Sequence, residues 1–304
     1  MFKKLFFKQD IWAISINRYQ EGEALDTTVM KPTITAADVT DCKAIFVADP
    51  FLIKHEGVWY VFYEVLPEHN REGVISYSYS YDGLNWEYGK IVLQANYHLS
   101  YPYVFKANDK IYMVPEGGAG GSIKLYEAKS FPSQWELVKQ LKTGGFYDSS
   151  LFYHNEKWWM ITMGVSSEPN SMYIYYTDDL DKEWKSHVLN PIIKNNPTIS
   201  RPGGRVYRDE SRLIRFTQDC SANYGRRLTA FQITTLTPTQ YEEKELGEVI
   251  SNSNIKGTWN QDGMHHIDIQ MEKGNYLVAV DGYYYKSVNK LSNKIYRLLK
   301  KYPS

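Results

Sequence analysis

The stretch ADPFLIKHEGVWYVFYE, residues 48–64, is typical of a strand, a short turn and a second strand with alternating apolar and aromatic residues. The pattern returns without a gap as SYPYVFKANDKIYMVPE (100–116), YDSSLFYHNEKWWMITM (147–163) and HHIDIQMEKGNYLVAVD (265–281). A further copy, SRPGGRVYRDESRLIRFTQ (200–218), fits with one extra residue in its turn. Five hairpins at intervals of about 50 residues indicate a modular all-β fold.

A second strand pair follows each of the first four hairpins, so those units have four strands each. The fifth unit lacks its outer pair, but WAISIN near the N-terminus matches the pattern of ISYSYS in the first unit. The sequence therefore predicts a five-bladed β-propeller over residues 1–285. Its last blade is shared between residues 10–32 and 262–285, and a basic amphipathic helix is predicted over 286–304.

Composition narrows the function classes. The 304 residues contain 26 Tyr and 8 Trp, and 35 basic residues balance 35 acidic ones, so no net positive field points to nucleic acid. The start, MFKKLFFKQD, has too few consecutive apolar residues for a secretory signal, which predicts a cytoplasmic protein with two free cysteines. Basic and apolar residues at both ends predict contact with an anionic membrane surface, and packing of the helix on the propeller is the alternative.

The propeller geometry gathers the equivalent ends of the hairpins at one mouth of the central channel. Ionisable groups in such a concave, aromatic-lined mouth are typical of a ligand site. The predicted inner ring is Asp49, Tyr101, Asp148, Arg201 and His266, with His265 in its place if the register shifts by one. Beside it we expect Glu64, Glu116, Gln218 and Asp281. The polar stretch 200–228 adds Arg215, Asp219 and Tyr224 as substrate-binding candidates.

Each of these candidates has a structural alternative. Asp49 and Asp148 could bond backbone amides, and Arg201 could balance those two acids. A divalent cation in the channel stays open, but adjacent histidines in a strand point to opposite faces, so His265 and His266 are not assigned as ligands of one ion.

These residues resemble the five-bladed clan of arabinanases, xylosidases and invertases. The resemblance implies that Asp49 is a base or nucleophile and Asp148 an orienting acid. The glutamate that acts as acid in that clan would fall near Ser200-Arg201-Pro202, where this chain has arginine. The substitution disfavours ordinary hydrolysis unless Glu116 or Glu64 supplies the proton.

A narrower resemblance is to the N-terminal-domain family of glucosamine inositolphosphorylceramide transferase. ADPFLI…WYVFYE, SYPYVF…IYMVPE, YDSSLF…WWM, RPGG…RFTQDCSANYG and the HH pair carry it, over most of residues 10–285. The resemblance implies a role in cell-surface glycans or glycolipids, and the transferase domain of the plant protein is separate.

Three functions follow as hypotheses. The first is a glycosyltransferase with a nucleotide-sugar donor, with Asp49 or Asp148 as base and with Arg201 and Arg215 on the donor phosphate. The second is a glycoside hydrolase with Asp49 as base and Glu116 as acid. The third is a glycan-binding module without catalysis.

Overall fold

The computed structural model describes residues 6–164, 169–209, 211–272 and 274–289. Its strands form five antiparallel sheets, four of them made of consecutive strands. The bounds are β1 (Phe6–Gln20), β2 (Ala44–His55), β3 (Val58–Pro67), β4 (Val74–Ser80), β5 (Glu87–Leu93), β6 (Ser100–Ala107), β7 (Lys110–Glu116), β8 (Ser122–Ser130), β9 (Gln134–Thr143), β10 (Phe146–His154), β11 (Lys157–Gly164), β12 (Ser171–Thr177), β13 (Lys185–Ser186), β14 (Arg201–Pro202), β15 (Tyr207–Arg208), β16 (Leu213–Gln218), β17 (Arg227–Leu236), β18 (Tyr241–Ser251), β19 (Ile267–Glu272) and β20 (Asn275–Asn289).

The sheet order confirms the five-bladed propeller. Four blades run β2-β3-β4-β5, β6-β7-β8-β9, β10-β11-β12-β13 and β14/β15-β16-β17-β18. The fifth runs β19-β20-β1, so the N-terminal strand closes the ring against the C-terminal one. Ile34 bridges Ile14 of β1 in the place of a fourth strand, and both side chains are buried.

The predicted C-terminal helix is wrong over residues 286–289. Those residues continue β20 and pair with Phe6–Gln9 of β1, which satisfies their backbone groups in a sheet ladder instead. Residues 290–304, the rest of the predicted helix, lie outside the described residues. Within the described part of the chain, no helix is long and apolar enough to cross a membrane.

The first strands of three blades share one irregularity. Asp49, Tyr101 and Asp148 each have a positive φ, of 58°, 44° and 50°. At each position the strand holds one residue more than its partner, so the ladder is interrupted by a β-bulge. Positive φ is costly for residues other than glycine, and such strain is concentrated at functional sites. The first strands of three blades thus share one bulged backbone conformation at equivalent positions, and of these residues Asp49 lines the mouth.

The fourth blade departs from the repeat in its first strand rather than in its turn. Pro202 pairs with Thr217 and Tyr207 with Ile214, so the extra residues lie between β14 and β15. Gly204 in this segment has a φ of 127°, and a Cβ there would lie 1.8 Å from the Ile267 carbonyl oxygen. Only glycine permits this approach of the fourth blade to the fifth.

The channel is closed below the mouth. The Tyr101 hydroxyl accepts a hydrogen bond from the Gly204 N–H at 2.8 Å, which ties the second blade to the fourth. Below it, Arg205 donates from Nε to Asp268 at 2.7 Å and from Nη2 to the Val104 carbonyl at 2.9 Å. The mouth is therefore a pocket with a floor, not a pore.

Candidate functional site

The channel mouth holds a cavity of about 380 Å³. Its acidic and cationic lining residues are Asp10, Asp49, Glu64, Glu116, His98, Arg201 and His265. Its aromatic lining residues are Trp12, Phe46, Tyr147 and Tyr224. Carboxylates with aromatic faces suit a sugar, whose hydroxyls donate hydrogen bonds and whose ring carbons pack on aromatic rings.

Asp49 lies on the floor of this pocket. Its Oδ2 accepts a hydrogen bond from the Tyr101 N–H at 3.1 Å, and its own N–H donates to Asp281 Oδ2 at 3.0 Å. Burial raises the pKa of Asp49 well above its ordinary value; His265 opposes that shift, and the charge of Asp148 adds to it. A carboxyl with a raised pKa can exchange a proton near neutral pH.

His265 is held in one orientation. Its Nδ1 lies 2.8 Å from Asp281 Oδ1, and its ring stacks on Trp12 with centroids 4.0 Å apart. Burial opposes the charged form, but the Asp281 carboxylate outweighs it and raises the pKa of His265. The remaining nitrogen, Nε2, lies 3.7 Å from Asp49 Oδ1. The fifth hairpin nevertheless keeps the ungapped register, because Asp268 pairs with Ala279 as Phe51 pairs with Phe62 in the first. His265 is therefore the equivalent of Ala48, which also lines the cavity.

His266 lies behind the pocket rather than in its lining. Its side chain is fully buried, and neither ring nitrogen has a hydrogen-bond partner among the described residues. Burial lowers the pKa of His266 to about 4, so the ring is neutral at neutral pH. Its Nδ1 also lies 3.7 Å from Asp49 Oδ1. Both histidines precede β19, so the opposite-face rule for strand residues does not apply to them directly.

Arg201 is fixed at one edge of the pocket wall. Its Nε donates to Asp148 Oδ2 at 2.5 Å, and its guanidinium carbon lies 5.3 Å and 5.0 Å from the ring centroids of Tyr147 and Tyr224. Gln218 Nε2 donates to the same Asp148 oxygen at 2.7 Å. Asp148 is therefore covered by Arg201 and Gln218, which makes it an anchor for the arginine and not a lining carboxylate.

Glu116 forms part of the opposite wall. It accepts hydrogen bonds from Ser100 Oγ at 2.8 Å and from the Gly118 N–H at 2.5 Å. Burial and the charge of Asp148 nevertheless raise the pKa of Glu116.

Glu64 lies beside His98, whose Nε2 is 3.0 Å from Glu64 Oε1. Burial lowers the pKa of His98, but Glu64 and the other pocket acids outweigh this and raise it to about 9. The Gly73 N–H, however, donates to His98 Nδ1 at 3.0 Å, which requires that nitrogen to be unprotonated. The hydrogen bonds of His98 are therefore those of the neutral ring with its proton on Nε2, and the Gly73 bond opposes the raised pKa.

Six predicted substrate-binding residues are not in the pocket lining: Tyr101, Arg215, Gln218, Asp219, His266 and Asp281. Arg215 donates from Nε and Nη2 to Glu243, across two strands of its own blade, and this prediction is wrong because its fork is already occupied. Asp219 accepts from Arg227 and Ser221 in a loop. Tyr101 is fully buried and acts on Asp49 through its N–H, and Asp281 acts through His265.

Sequence reasoning missed Trp12, Asp10, Tyr147 and His98. Trp12 donates from Nε1 to Asp10 at 2.6 Å, and both lie in β1. Ring closure predicted that this strand belongs to the fifth blade, so its inward residues could have been assigned to the mouth. Tyr147 precedes the bulge residue Asp148, and no pattern in the repeat marks it.

One group within the described residues has the donors for a cation. Asp49, His265 and Asp281 each offer a ligand atom, and these atoms lie within 4.8 Å of one another. Both Asp281 oxygens already accept hydrogen bonds, from His265 and from the Asp49 N–H. A cation here would have to replace those bonds, so the donor set fits a metal poorly.

A family model described as glucosamine inositolphosphorylceramide transferase 1, N-terminal, matches residues 10–283. This chain belongs to that family. Glucosamine inositolphosphorylceramide transferase 1 of Oryza sativa subsp. japonica is 33% identical over 279 residues, which cover 88% of this chain and 38% of the rice protein. The protein of the same name from Arabidopsis thaliana is 34% identical over 264 residues, 84% of this chain and 34% of its own. The chain thus spans less than two-fifths of the length of these relatives.

Solved structures with the same fold include several carbohydrate-active enzymes. The β-1,2-mannobiose phosphorylase from Listeria innocua has a TM-score of 0.62 at 14% identity, over 93% of this chain and 99% of that one. The catalytic domain of the Coprinopsis cinerea GH62 α-L-arabinofuranosidase has a TM-score of 0.56 at 11% identity, over 88% and 97%. At these identities the likeness shows the fold. The chain thus combines membership of this N-terminal family with a propeller fold that carbohydrate-active enzymes also have.

Proposed function

We propose that this pocket transfers a glycosyl group between a phosphate-bearing donor and an acceptor hydroxyl. The proposal rests on the two Nη atoms of Arg201, whose hydrogen-bond donors are not used within the described part of the chain. Arg201 Nε is bonded to Asp148, and no hydrogen bond joins either of its Nη atoms to another described residue. Those nitrogens carry four N–H donors at the wall of the pocket.

A guanidinium held in this way suits a phosphoryl oxygen pair. Its planar fork binds phosphate through two parallel hydrogen bonds, and its position is set in advance by Asp148 and by the flanking rings of Tyr147 and Tyr224. A phosphate leaving group needs such cation support rather than an acid. This accounts for arginine at the position where the hydrolase pattern has glutamate.

Asp49 is the proton acceptor in this scheme. Its Oδ1 has no hydrogen-bond donor within 3.5 Å among the described residues, since both histidine nitrogens near it lie at 3.7 Å. That oxygen is free to take the proton of an acceptor hydroxyl as the hydroxyl attacks the sugar. Its raised pKa brings it closer to the pH at which a base is most effective.

The relatives support a glycan role. They are named glucosamine inositolphosphorylceramide transferase 1, and we extend to this chain a role in cell-surface polysaccharide or glycolipid synthesis. The sequence predicted a nucleotide sugar as the donor. The pocket itself requires only that the leaving group be a phosphate.

A thermal-shift screen tests this proposal, because a ligand that binds only the folded state raises the melting temperature. We expect stabilisation by sugar phosphates or nucleotide sugars. Product formation from the stabilising donor should fail in Asp49→Asn. Stabilisation by neutral oligosaccharides alone would refute the proposal.

Glycoside hydrolysis is the second candidate, and the raised pKa of Glu116 favours it. Glu116 lines the same cavity as Asp49, so it could supply the proton that hydrolysis needs while Asp49 acts as base. Release of sugar from an oligosaccharide without any phosphate donor, abolished in both Asp49→Asn and Glu116→Gln, would select this function. Binding without turnover in calorimetry would select a glycan-binding module.

We also propose weak association with anionic membranes. β1 and β20 pair up to Phe6 and Asn289, so both basic chain ends leave the same tip of this ribbon. Salt-sensitive flotation with phosphatidylserine vesicles is expected, and no flotation at low ionic strength would refute it. Location in the cytoplasm stays a prediction.

A further inference from the structure

We infer that the Arg201 site takes a single terminal phosphoryl group, so that the protein interconverts a glycoside plus inorganic phosphate with a sugar 1-phosphate plus a free hydroxyl. The inference rests on the proposed function, since it uses the same pocket, and it names the donor class. Three features of the pocket support it.

The first feature is size. The cavity of about 380 Å³ lies near the lower end of the roughly 300–1,000 Å³ range of small-molecule sites. That space suits a sugar ring with one phosphate group. A nucleotide sugar would leave its nucleoside outside the described cavity, where it would gain little from the pocket.

The second feature is the number of cationic groups. Arg201 and His265 each give one nitrogen to a carboxylate and keep others available, and the described lining contains no lysine. His265 uses Nδ1 for Asp281 and keeps Nε2 available. The Nη atoms of Arg201 and the Nε2 atom of His265 can together donate hydrogen bonds to a single phosphoryl group. A diphosphate would leave its second phosphoryl group facing the pocket acids without a partner.

The third feature is Asp49, whose Oδ1 has no hydrogen-bond donor among the described residues and can therefore move the proton of this reaction. In the phosphorolytic direction, Asp49 in its acid form gives its proton to the glycosidic oxygen as the bond from C1 to that oxygen breaks. A phosphate oxygen held by Arg201 forms the new bond to C1. The hydrogen phosphate thus joined to the sugar returns a proton to Asp49, so charge and atoms balance without a second catalytic acid.

Glu64 and Glu116 have a separate part in this scheme. Glu116 keeps Ser100 and Gly118 as donors and Glu64 lies against His98, so both carboxylates are oriented before a ligand arrives. Oriented carboxylates accept hydrogen bonds from sugar hydroxyls. They position the ring while Asp49 and Arg201 act at C1.

The test uses the full chain, its Arg201→Gln variant and a matched control, Arg227→Gln. Arg227 also donates from Nε to an aspartate, Asp219, but it lies outside the cavity lining. Inorganic phosphate binding is measured by calorimetry. Phosphate release is then measured from a panel of hexose and hexosamine 1-phosphates, with and without free sugars as acceptors, beside the matching nucleotide sugars.

We expect the wild type and Arg227→Gln to bind phosphate, and Arg201→Gln to bind it about 10- to 100-fold more weakly, as loss of charged hydrogen bonds implies. Arg201→Lys keeps the charge without the fork, and should be intermediate. Phosphate release should require both a sugar 1-phosphate and an acceptor.

Four outcomes overturn the inference. Absence of phosphate binding, or binding without release from any sugar 1-phosphate, refutes it. Turnover of nucleotide sugars alone refutes it but keeps the proposed function. Hydrolysis that proceeds equally without phosphate or acceptor refutes both.

Discussion

Two arginine–aspartate pairs lie at different depths of the same channel, and they differ in what each arginine has left to offer. Arg201 and Arg205 each donate from Nε to one aspartate, and each packs between two aromatic rings. Their side chains are almost equally exposed, at 17% and 16%. Burial therefore does not distinguish them.

The remaining hydrogen-bond donors of Arg201 and Arg205 do distinguish the two residues. Arg205 Nη2 donates to the carbonyls of Leu52 and Val104 as well as to Asp268, so its fork joins the first, second and fifth blades. Arg201 has no such bond from either Nη atom to a described residue. We infer that a buried ion pair indicates a binding site only when some of its hydrogen-bond donors or acceptors are left unused.

The largest effect should come from Arg205→Gln. It leaves Asp268 buried without its counter-ion, which we expect to lower the free energy of unfolding by about 3–5 kcal/mol. Arg201→Gln should cost less, about 1.5–3 kcal/mol, because Gln218 still donates to Asp148 and pocket water can replace the arginine. Urea denaturation measures both. Equal losses in the free energy of unfolding would show that the two arginines stabilise the fold to the same extent.

Asp49→Asn tests the chemistry of the mouth. We expect turnover to fall about 100- to 10,000-fold. Stability should not fall, because a raised folded pKa means that ionisation of Asp49 weakens the folded state. The stability lost through ionisation of Asp49 grows as the pH rises from the ordinary aspartate pKa toward the raised one. Over that interval the free energy of unfolding of Asp49→Asn should therefore increase relative to that of the wild type. Denaturation at several pH values checks this, and a stability loss would contradict it.

Anion binding should weaken as the pH rises through the raised pKa of His265. Asp281, Asp49 and Arg201 are the charged groups that act on this ring, with neutral His266 beside it. Asp281→Asn removes the main partner of the imidazolium, so binding should be lost at a lower pH than in the wild type.

Sulfate is the suitable probe for this measurement, because it does not itself titrate near neutral pH. Calorimetric titrations at a series of pH values compare the two proteins. Coincident pH profiles would show that the His265 charge plays no part in the mouth.

Trp12→Phe should have the smallest effect. An aromatic ring remains against His265, while the Nε1 bond to Asp10, worth about 0.5–1.5 kcal/mol, is lost together with the packing of the removed ring atoms. Trp86→Phe is the matched control, because Trp86 Nε1 has no hydrogen-bond partner among the described residues. Thermal unfolding should separate the two variants. Similar melting temperatures would show that the Asp10 bond does not stabilise the mouth.

The repeat predicted much of this arrangement, because hairpins of one length place equivalent residues at one end of the channel. It predicted the positions of Asp49 and Asp148 and the closure by β1. It could not show that these positions carry bulges with positive φ, since one register fits both a regular and a bulged strand. It also could not show that Asp148 is covered, because that depends on the partners of Arg201.

Arg215 shows where a closer argument from the sequence was available. Gln218 donates to Asp148 beside the mouth, and Arg215 is three positions earlier in the same strand, so the two side chains lie on opposite faces of the sheet. Strand parity alone therefore excludes Arg215 from the mouth. His265 could not be separated from His266 in this way, because both precede the strand.

A crystal structure with a bound sugar 1-phosphate would show directly whether Arg201 binds the phosphoryl group. We expect phosphoryl oxygens about 2.7–2.9 Å from the Nη atoms of Arg201, with the sugar over Asp49 and the Arg201–Asp148 bond intact. A phosphate bound elsewhere, or an Arg201 fork that stays without contact to the ligand, would contradict it.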